Sequence, residues 1–433
     1  MGELLEILTF RAGFNTAVVM AGTMLLGFAA GLVGVFALLR KRSLMTDALG
    51  HSTLPGIGIA FLAAPVFGLS GRSPGVLLVG ATLTGVLGVA SVHALLRWTR
   101  LREDAAIGVV LGVFFGMGVV VLSYIQTNHP GGAGGLNGLI FGQAATMRPH
   151  EAMMMGAIAL GSVLATVLLL KEFALVCFNE PFARVDGWPV GLIDGLMMAL
   201  IVVVTVAGIQ AVGLVMVVAL VIIPAVSARF WTDRLWLLVL LSGLIGAMSG
   251  YVGTAVSAMV HRTPAGPVIV LAAGTVFLVS MLCAPRRGVL AGAFRRGRLR
   301  MLIAGDHMLE AAHDRGVREL RADEVHQLAE LIGWSALARR AVVRWLMWTG
   351  YVKRSGAGGL VLTERGAERG RRVSRNHALW EEYLTSYADI APSHVDWSVD
   401  QVEHVLSERL VAELEQKLAA RGHDVGASAG VAL

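Results

Sequence analysis

Long apolar segments dominate the first two-thirds of this chain of 433 residues. A helix needs about 20 apolar residues to cross the roughly 30 Å of hydrocarbon in a bilayer. A shorter apolar run at about 53–69 is open to two interpretations, a ninth span or a buried half-helix. The sequence predicts an all-α polytopic membrane protein of eight or nine transmembrane helices, whose long runs lie at about 13–39, 74–96, 105–126, 151–170, 190–208, 210–228, 235–253 and 265–283.

Charged residues are concentrated toward the C-terminus. Of the 36 Lys and Arg residues, 14 lie in residues 1–285 and 22 in the rest, and the 30 Asp and Glu residues divide as 11 and 19. A charge-poor membrane part therefore precedes a charge-rich soluble part, with a border near Pro285. Two cysteines, Cys177 and Cys283, are too few for a disulfide framework, which fits a cytosolic or intramembrane setting.

The basic residues of the membrane part also predict its orientation. With nine crossings and an external N-terminus, twelve Lys and Arg residues fall in cytoplasmic loops or just after the last span, and four fall outside. Such a bias is the positive-inside rule. We expect a multi-pass protein of the bacterial inner (plasma) membrane whose C-terminal domain is cytoplasmic.

A carboxylate and an imidazole lie close together in the membrane part. Asp47 and His51 are four residues apart in the block Asp47-Ala-Leu-Gly-His51-Ser-Thr-Leu-Pro55-Gly56, and on a helix they would share one face. Ionisable residues at membrane depth are costly and usually functional. The pair therefore indicates a polar path for a cation. The structural alternative is a helix-capping Asp beside a hydrogen-bonded interfacial His.

This block resembles a signature of the ABC-type permeases for manganese, zinc and iron. Four further blocks carry the same resemblance in order over about residues 10–285: Glu103-Asp104-Ala-Ala-Ile-Gly108, Phe141-Gly-Gln-Ala144, Gln210-Ala-Val-Gly-Leu214 and Ile223-Pro-Ala225. The resemblance implies that Asp47 and His51 line the path of a divalent metal ion, Mn, Zn or Fe. It also implies an importer with an ABC ATPase subunit, an extracytoplasmic metal-binding protein and a second copy of this chain.

The chain itself is not expected to be an enzyme. The phosphate-binding pattern Gly-x-x-x-x-Gly-Lys-Ser/Thr does not occur in the sequence, so ATP hydrolysis is expected in a separate subunit. The longest predicted cytoplasmic connection, 171–189, contains Phe173, Phe178 and Phe182 and a predicted turn at Pro181–Ala183. Its aromatic content favours contact with the ATPase over a solvated turn.

After the membrane part, a basic linker at 286–302 is predicted to lie against anionic lipid headgroups, with nucleic-acid contact as the alternative. The helical period then indicates a winged helix-turn-helix domain over 303–366. Its helices are expected at 303–314, 322–332 and 336–349, with Ser335 as an N-cap, followed by a two-stranded wing at 351–363. The third helix carries the candidate DNA contacts Arg339, Arg340 and Arg344.

Residues 367–433 are predicted to form a helical metal-binding and dimerisation domain. Asp400, Glu403 and His404 share a helical face, and His377 lies four residues before Glu381 on another helix, a donor set that suits a divalent metal. Residues 303–420 resemble the diphtheria-toxin-repressor family. In its manganese-responsive branch two ions are held by six side chains, which the resemblance places at His307, Glu310, His377, Asp400, Glu403 and His404. His307 stands where Asp or Met is typical, and Asp400 where Glu or Cys is.

Two hypotheses for the function of the chain follow from these predictions. The first is the permease subunit of an ATP-binding-cassette importer, with a membrane domain at 1–285 and a fused cytosolic domain that senses metal and regulates transport. The alternative is a membrane-tethered, metal-dependent DNA-binding transcriptional regulator. Trp345 and Trp348 occupy part of the presumed DNA-reading helix, which counts against the alternative. A third interpretation is that the C-terminal domain only stabilises a dimer.

Overall fold

The computed structural model describes residues 6, 9, 13–40, 43–71, 73–128, 147–260, 263–331, 335–355, 359–387 and 408–419. The chain divides into two compact units, Met1–Ala291 and Gly292–Leu433. The first unit is helical throughout its described elements, in keeping with its apolar runs. These are α1 Phe14–Leu39, α2 Ser43–Ala63 followed by a 3₁₀ turn at Ala64–Phe67, α3 Pro74–Trp98, α4 Glu103–Asn128, α5 Pro149–Leu168, α6 Leu170–Phe178, α7 Glu180–Val185, α8 Val190–Val212, α9 Leu214–Arg229, α10 Leu235–Met259 and α11 Ala265–Cys283.

Within the described ranges, eight helices are long and apolar enough to cross a membrane: α1 to α5, α8, α10 and α11. The predicted all-α polytopic fold is confirmed. The ambiguous run at 53–69 belongs to a span-length helix, because α2 begins at Ser43 and includes the polar block before the run. The run at 210–228 gives the shorter helix α9, which is separated from α8 by Gly213 at a φ of 96°.

Helix α1 is the packing centre of the first unit, in contact with α5, α8, α9 and α10. Small residues let backbones approach closely in membrane proteins, and α1 uses them against α10. A Cβ on Gly27 would overlap the backbone of Gly246. Nearby, the Thr23 and Thr254 hydroxyls are 2.8 Å apart, so hydroxyl groups join the two helices as well.

Helix α2 packs mainly against α3 and α4, with smaller contacts to α8 and α9. It contains Pro55, which has no N–H and so cannot donate to the carbonyl of residue 51. Glycines accommodate the neighbouring helices at this point. A Cβ on Gly118 of α4 would press on Leu54 and Pro55, and one on Gly56 would overlap the Gly80 backbone of α3.

The second unit combines helices with a small antiparallel sheet. Its described elements are α12 Val289–Asp314, whose first three residues belong to the first unit, β1 Glu319–Leu320, α13 Ala322–Leu331, α14 Ala336–Trp348, β2 Val352–Arg354, β3 Leu360–Leu362, α15 Glu364–Tyr387 and α16 Glu408–Ala419. The strand order is β1-β3-β2, with Lys353 opposite Val361 and Glu319 also opposite Val361. The predicted winged helix-turn-helix elements are present, and β1 adds a strand that the sequence reading missed.

Local signals account for the boundaries of these elements. The Ser335 side chain accepts a hydrogen bond from the Ala338 N–H at 3.3 Å, which confirms the predicted N-cap of α14. The first helix starts earlier than predicted, at Val289 rather than 303, since Leu, Ala and Arg in the basic linker all favour helix. The core of the unit includes Met308, Leu309 and Leu346.

Candidate functional sites

Asp47 and His51 lie on one face of α2, as their spacing predicts. Asp47 Oδ1 is 3.4 Å from His51 Nε2, and the side chains are 40% and 21% exposed. The residues between them, Ala48, Leu49 and Gly50, are buried. The His51 ring meets Phe115 of α4 edge-on, with ring centres 5.0 Å apart at 83°. The carboxylate and the imidazole are therefore partly accessible, and the Phe115 ring lies beside the imidazole.

Polar atoms around this pair retain capacity to bind. His51 Nδ1 and the hydroxyl of Thr46 are buried and have no hydrogen-bond partner among the described residues. The His51 carbonyl also lacks its regular helical donor, because Pro55 is four residues later. A carboxylate and an imidazole are ligands that first-row divalent ions accept. Thr46 and the proline effect were not identified from the sequence.

A second histidine of the membrane helices, His93, is placed differently. It lies on α3, is exposed, and its Nδ1 is 3.0 Å from the Val89 carbonyl of its own helix. A bond to the preceding helical turn satisfies the ring locally. Among the residues that the structure covers, no group of three or more His, Cys, Asp or Glu side chains could hold a metal ion. Asp47 and His51 are the carboxylate and the imidazole on which the candidate path rests.

The connection between α5 and α8 is helical. Asn179 caps α7 by accepting a hydrogen bond from the Phe182 N–H at 3.2 Å, and Pro181 occupies the first turn, where proline is favoured. The predicted turn at Pro181–Ala183 is therefore wrong. Phe173 is fully buried against Phe36 of α1, with ring centres 4.9 Å apart. Phe178, Phe182 and Val185 are 62%, 54% and 89% exposed, which leaves an apolar surface on this connection.

Arg40, the C-cap of α1, joins this connection to two other helices. Its Nη1 donates to Glu180 Oε2 at 2.8 Å and to the Val176 carbonyl at 3.0 Å, and its Nε donates to Asp194 Oδ1 of α8 at 3.1 Å. Hydrogen bonds from Arg184 and Arg40 lower the pKa of the Glu180 carboxyl below its usual value. From the sequence, Arg40 contributed only to the predicted orientation in the membrane. Asp194, a carboxylate inside an apolar run, was the signal that a buried partner exists.

The predicted metal-sensing residues are partly described. His307 and Glu310 lie on α12 and His377 on α15. Glu310 Oε1 is 3.3 Å from His377 Nδ1, with side chains 13% and 30% exposed. The structure thus brings together a carboxylate and an imidazole from two helices, a donor pair that fits a divalent ion. The remaining predicted ligands, Asp400, Glu403 and His404, lie outside the described residues, as does the side chain of Glu381.

One turn before Glu310, a buried ion pair joins the same two helices. Arg369 of α15 donates from Nε to Asp306 Oδ1 at 2.9 Å and from Nη2 to Oδ2 at 2.6 Å. The hydrogen bonds to Asp306 raise the pKa of the Arg369 guanidinium, despite partial burial. This pair fixes α12 against α15 and was not identified from the sequence.

The three candidate DNA contacts on α14 have different surroundings. Arg339 is half-buried, and its Nη1 contacts His326 Nδ1 of α13. Arg340 and Arg344 are exposed. Leu337 and Trp348 are also exposed, at 77% and 85%. The outward surface of α14 therefore mixes two basic side chains with two large apolar ones.

Comparison with known proteins agrees with this division of the chain. Residues 14–284 match the ABC 3 transport family, and residues 363–425 match the iron dependent repressor, metal binding and dimerisation domain. The manganese transport system membrane protein MntC of Bacillus subtilis (strain 168) is 35% identical over 404 residues, covering 93% of this chain and 92% of that protein.

Two further similarities cover the membrane part. The zinc transport system membrane protein TroC of Treponema pallidum (strain Nichols) is 43% identical over 284 residues, covering 66% of this chain and 94% of that protein. A solved structure, PsaBC from Streptococcus pneumoniae in complex with Fab, is similar with a TM-score of 0.57 and 26% identity. It covers 65% of this chain and 97% of that one.

Proposed function

This chain belongs to the ABC 3 transport family, and we propose that it is the permease subunit of an importer that carries Mn²⁺, Zn²⁺ or Fe²⁺ across the plasma membrane. The observation that carries the proposal is the Asp47–His51 pair on α2, with 3.4 Å between the carboxylate oxygen and the ring nitrogen. A pair of hard and borderline donors inside a bundle of span-length helices is suited to a divalent cation as substrate.

Each side chain of this site has its own role in the path. The Asp47 carboxylate offsets the charge of an ion that has shed part of its water, and the His51 imidazole supplies a nitrogen ligand. Phe115 restricts the space beside the ring. A site that releases its ion must bind it weakly enough to let it leave. Two side chains, rather than a closed cage of four, meet that requirement.

The ATPase partner is proposed to dock on α6 and α7. Exposed Phe178, Phe182 and Val185 form an apolar surface there, and buried aromatic side chains are the usual anchors of protein interfaces. With α9 counted as a ninth crossing, the positive-inside rule supports a cytoplasmic position for this connection and for the C-terminal unit. A second copy of this chain and an extracytoplasmic metal-binding protein complete the proposed importer.

The iron-dependent repressor domain is proposed to sense cytosolic metal and to lower the rate of import. Glu310 and His377, with His307 and the three predicted ligands outside the described residues, would hold the ion. When bound, the metal would supply a positive centre shared by the carboxylate and imidazole ligands of α12 and α15. The N-terminal half of α12, which carries exposed Phe294 and Arg295, would lie against anionic lipid headgroups.

Uptake measurements on the assembled transporter test the transport role. Asp47→Asn and His51→Gln are each expected to lower the uptake of Mn²⁺, Zn²⁺ and Fe²⁺ by about 10- to 100-fold or more, since even residues behind metal ligands cost that much. His93→Gln is the matched control, because His93 is exposed and satisfied by its own helix. Wild-type uptake of all three metals in the first two variants would refute the proposal.

A second candidate function is metal-dependent DNA binding by a membrane-tethered regulator. Exposed Arg340 and Arg344 on a helix of a winged helix-turn-helix fold favour it. Exposed Leu337 and Trp348 on the same helix count against it, because DNA backbones are contacted chiefly by polar and charged groups. Transport remains the better supported role.

A further inference from the structure

Arg40 is a buried arginine at a junction of three parts of the first unit. It ends α1, it contacts the α6–α7 connection through Glu180 and the Val176 carbonyl, and it contacts α8 through Asp194. The side chains of Arg40 and Asp194 are each 11% exposed. A buried guanidinium with several oriented acceptors holds its partners in one geometry, because its donors form a rigid planar fork.

The junction is also close in sequence to the candidate metal path. Helix α2 begins at Ser43, three residues after Arg40, and Asp47 lies on its second turn. A displacement of Arg40 must therefore be taken up within a very short connection before it reaches α2. Each residue of extended chain spans at most about 3.6 Å, so three residues limit the separation of Arg40 from the start of α2 to about 11 Å.

On its other side the junction holds the surface on which the ATPase is proposed to dock. Glu180 opens α7, and Val176 lies in the last turn of α6. The same segment is packed on α1 through Phe173 and Phe36. An apolar ring contact and a fork of hydrogen bonds thus attach α6 and α7 to the end of α1, one turn apart along that helix.

We propose that Arg40 is a positioning residue for transport, which transmits movement of the α6–α7 connection to α2 and so couples ATP hydrolysis in the partner subunit to passage of the metal along the path lined by Asp47 and His51. This inference rests on the proposed importer function. Arg40 touches neither the metal nor ATP. Its effect is on the geometry that links them, through contacts with α6, α7 and α8.

A purely structural role for Arg40 makes a different prediction. If the hydrogen bonds only hold the helices together, weakening them lowers the amount of assembled transporter and reduces uptake and hydrolysis in proportion. If they transmit movement, the assembled variant still hydrolyses ATP but moves fewer metal ions for each ATP. The ratio of Mn²⁺ transported to ATP hydrolysed therefore separates the two roles.

The experiment uses the complete transporter, this chain with its ATPase and metal-binding protein, in proteoliposomes with Mn²⁺ as the probe. Arg40→Lys keeps the buried positive charge but cannot reach all three acceptors at once. We expect ATP hydrolysis within about twofold of wild type, and a Mn²⁺-to-ATP ratio lower by between about twofold and thirtyfold, the range seen for residues that link two sites. Asp194→Asn removes the charge of the partner and should lower the ratio in the same way.

Asp233→Asn is the matched control. Asp233 pairs with Arg287 at 2.6 Å, but both side chains are nearly half exposed, so its loss should leave the ratio unchanged. An unchanged ratio in Arg40→Lys, or a parallel fall of uptake and hydrolysis, overturns the inference. Should Arg40→Lys fail to assemble, Asp194→Asn decides by the same ratio. Absence of ATP-dependent uptake in the wild type is a separate failure, that of the importer function.

Discussion

Asp306 and Arg369 form a two-pronged ion pair between α12 and α15, with N–O distances of 2.9 and 2.6 Å and the carboxylate only 2% exposed. The pair lies one helical turn from Glu310, which meets His377 across the same two helices. A rigid contact at this point keeps the two candidate metal ligands in register. The ion pair is therefore a structural support for the predicted metal-sensing residues.

Loss of this pair should loosen the C-terminal unit. Arg369→Gln leaves the Asp306 carboxylate buried without its cation. We expect the free energy of unfolding to fall by about 3 kcal/mol. This is the lower end of the range for buried pairs, because Arg369 is partly exposed. Hydrogen exchange of the α15 amides in the full chain measures the cost. Arg371→Gln is the control, since its contact with Glu368 lies on the surface, and surface pairs contribute about 0–1 kcal/mol. Equal effects of the two variants would contradict the prediction.

The anchoring of α7 should be insensitive to pH near neutrality. Because Arg184 and Arg40 lower the pKa of the Glu180 carboxyl below its usual value of 4.5, the carboxylate contributes stability above that pH and loses it as pH falls through the lowered pKa. Hydrogen exchange of the α7 amides, corrected for intrinsic rates, should stay constant from about pH 8 to pH 5 and rise only at lower pH. Loss of protection between pH 7 and pH 5, at about the midpoint of a histidine, would point to another group.

A side chain added at the α1–α10 contact should destabilise the protein. Gly246→Ala places a Cβ against the Gly27 carbonyl, and overpacking of this kind costs about 1–3 kcal/mol. Gly274→Ala is the matched control, because its Cβ would meet open space and a helical alanine is favoured over glycine by about 0.5–1 kcal/mol. Thermal unfolding of the full chain in detergent should therefore shift down for the first variant and slightly up for the second.

The exposed aromatics of α6 and α7 should contribute to binding of the ATPase. Phe178→Ala and Phe182→Ala are each expected to weaken association by about tenfold or more, as truncation of an interface anchor does. Leu164→Ala on α5, an exposed apolar residue of a membrane-spanning helix, should have no effect. Titration of the ATPase onto the chain in nanodiscs provides the affinities. Unchanged affinity in both phenylalanine variants would move the docking surface elsewhere.

The DNA-binding alternative predicts a specific dependence on salt. If Arg340 and Arg344 contact phosphates, replacing either by Gln should reduce the slope of log affinity against log salt by about one, while Arg371→Gln should reduce it less. The measurement uses the full chain in detergent, Mn²⁺ and duplex DNA. Salt-independent or absent binding by the wild type would remove this alternative.

Local features of the fold could be predicted because they depend on nearby residues. Apolar run length determines which segments form spans, since backbone groups in lipid must bond within their own helix. The four-residue spacing brought Asp47 and His51 to one face, and Ser335 capped α14 as its side chain and position predict. The start of α12 and the helix at Glu180–Val185 were missed, because basic and proline-containing segments are compatible with helix and loop alike.

Contacts between distant residues could not be predicted. Arg40 and Asp194 are 154 residues apart, and Asp306 and Arg369 are 63 apart. A charge that becomes buried needs a partner, but the sequence does not show which one, because helix packing selects the partner. Composition alone determined the division into an apolar part and a charge-rich part. Helical periodicity alone determined that Asp47 and His51 lie on the same face of α2. Only the tertiary structure decided which helices Arg40 connects. A buried charge is stabilised by the polar groups around it, and those groups are brought to it by the packing of the helices.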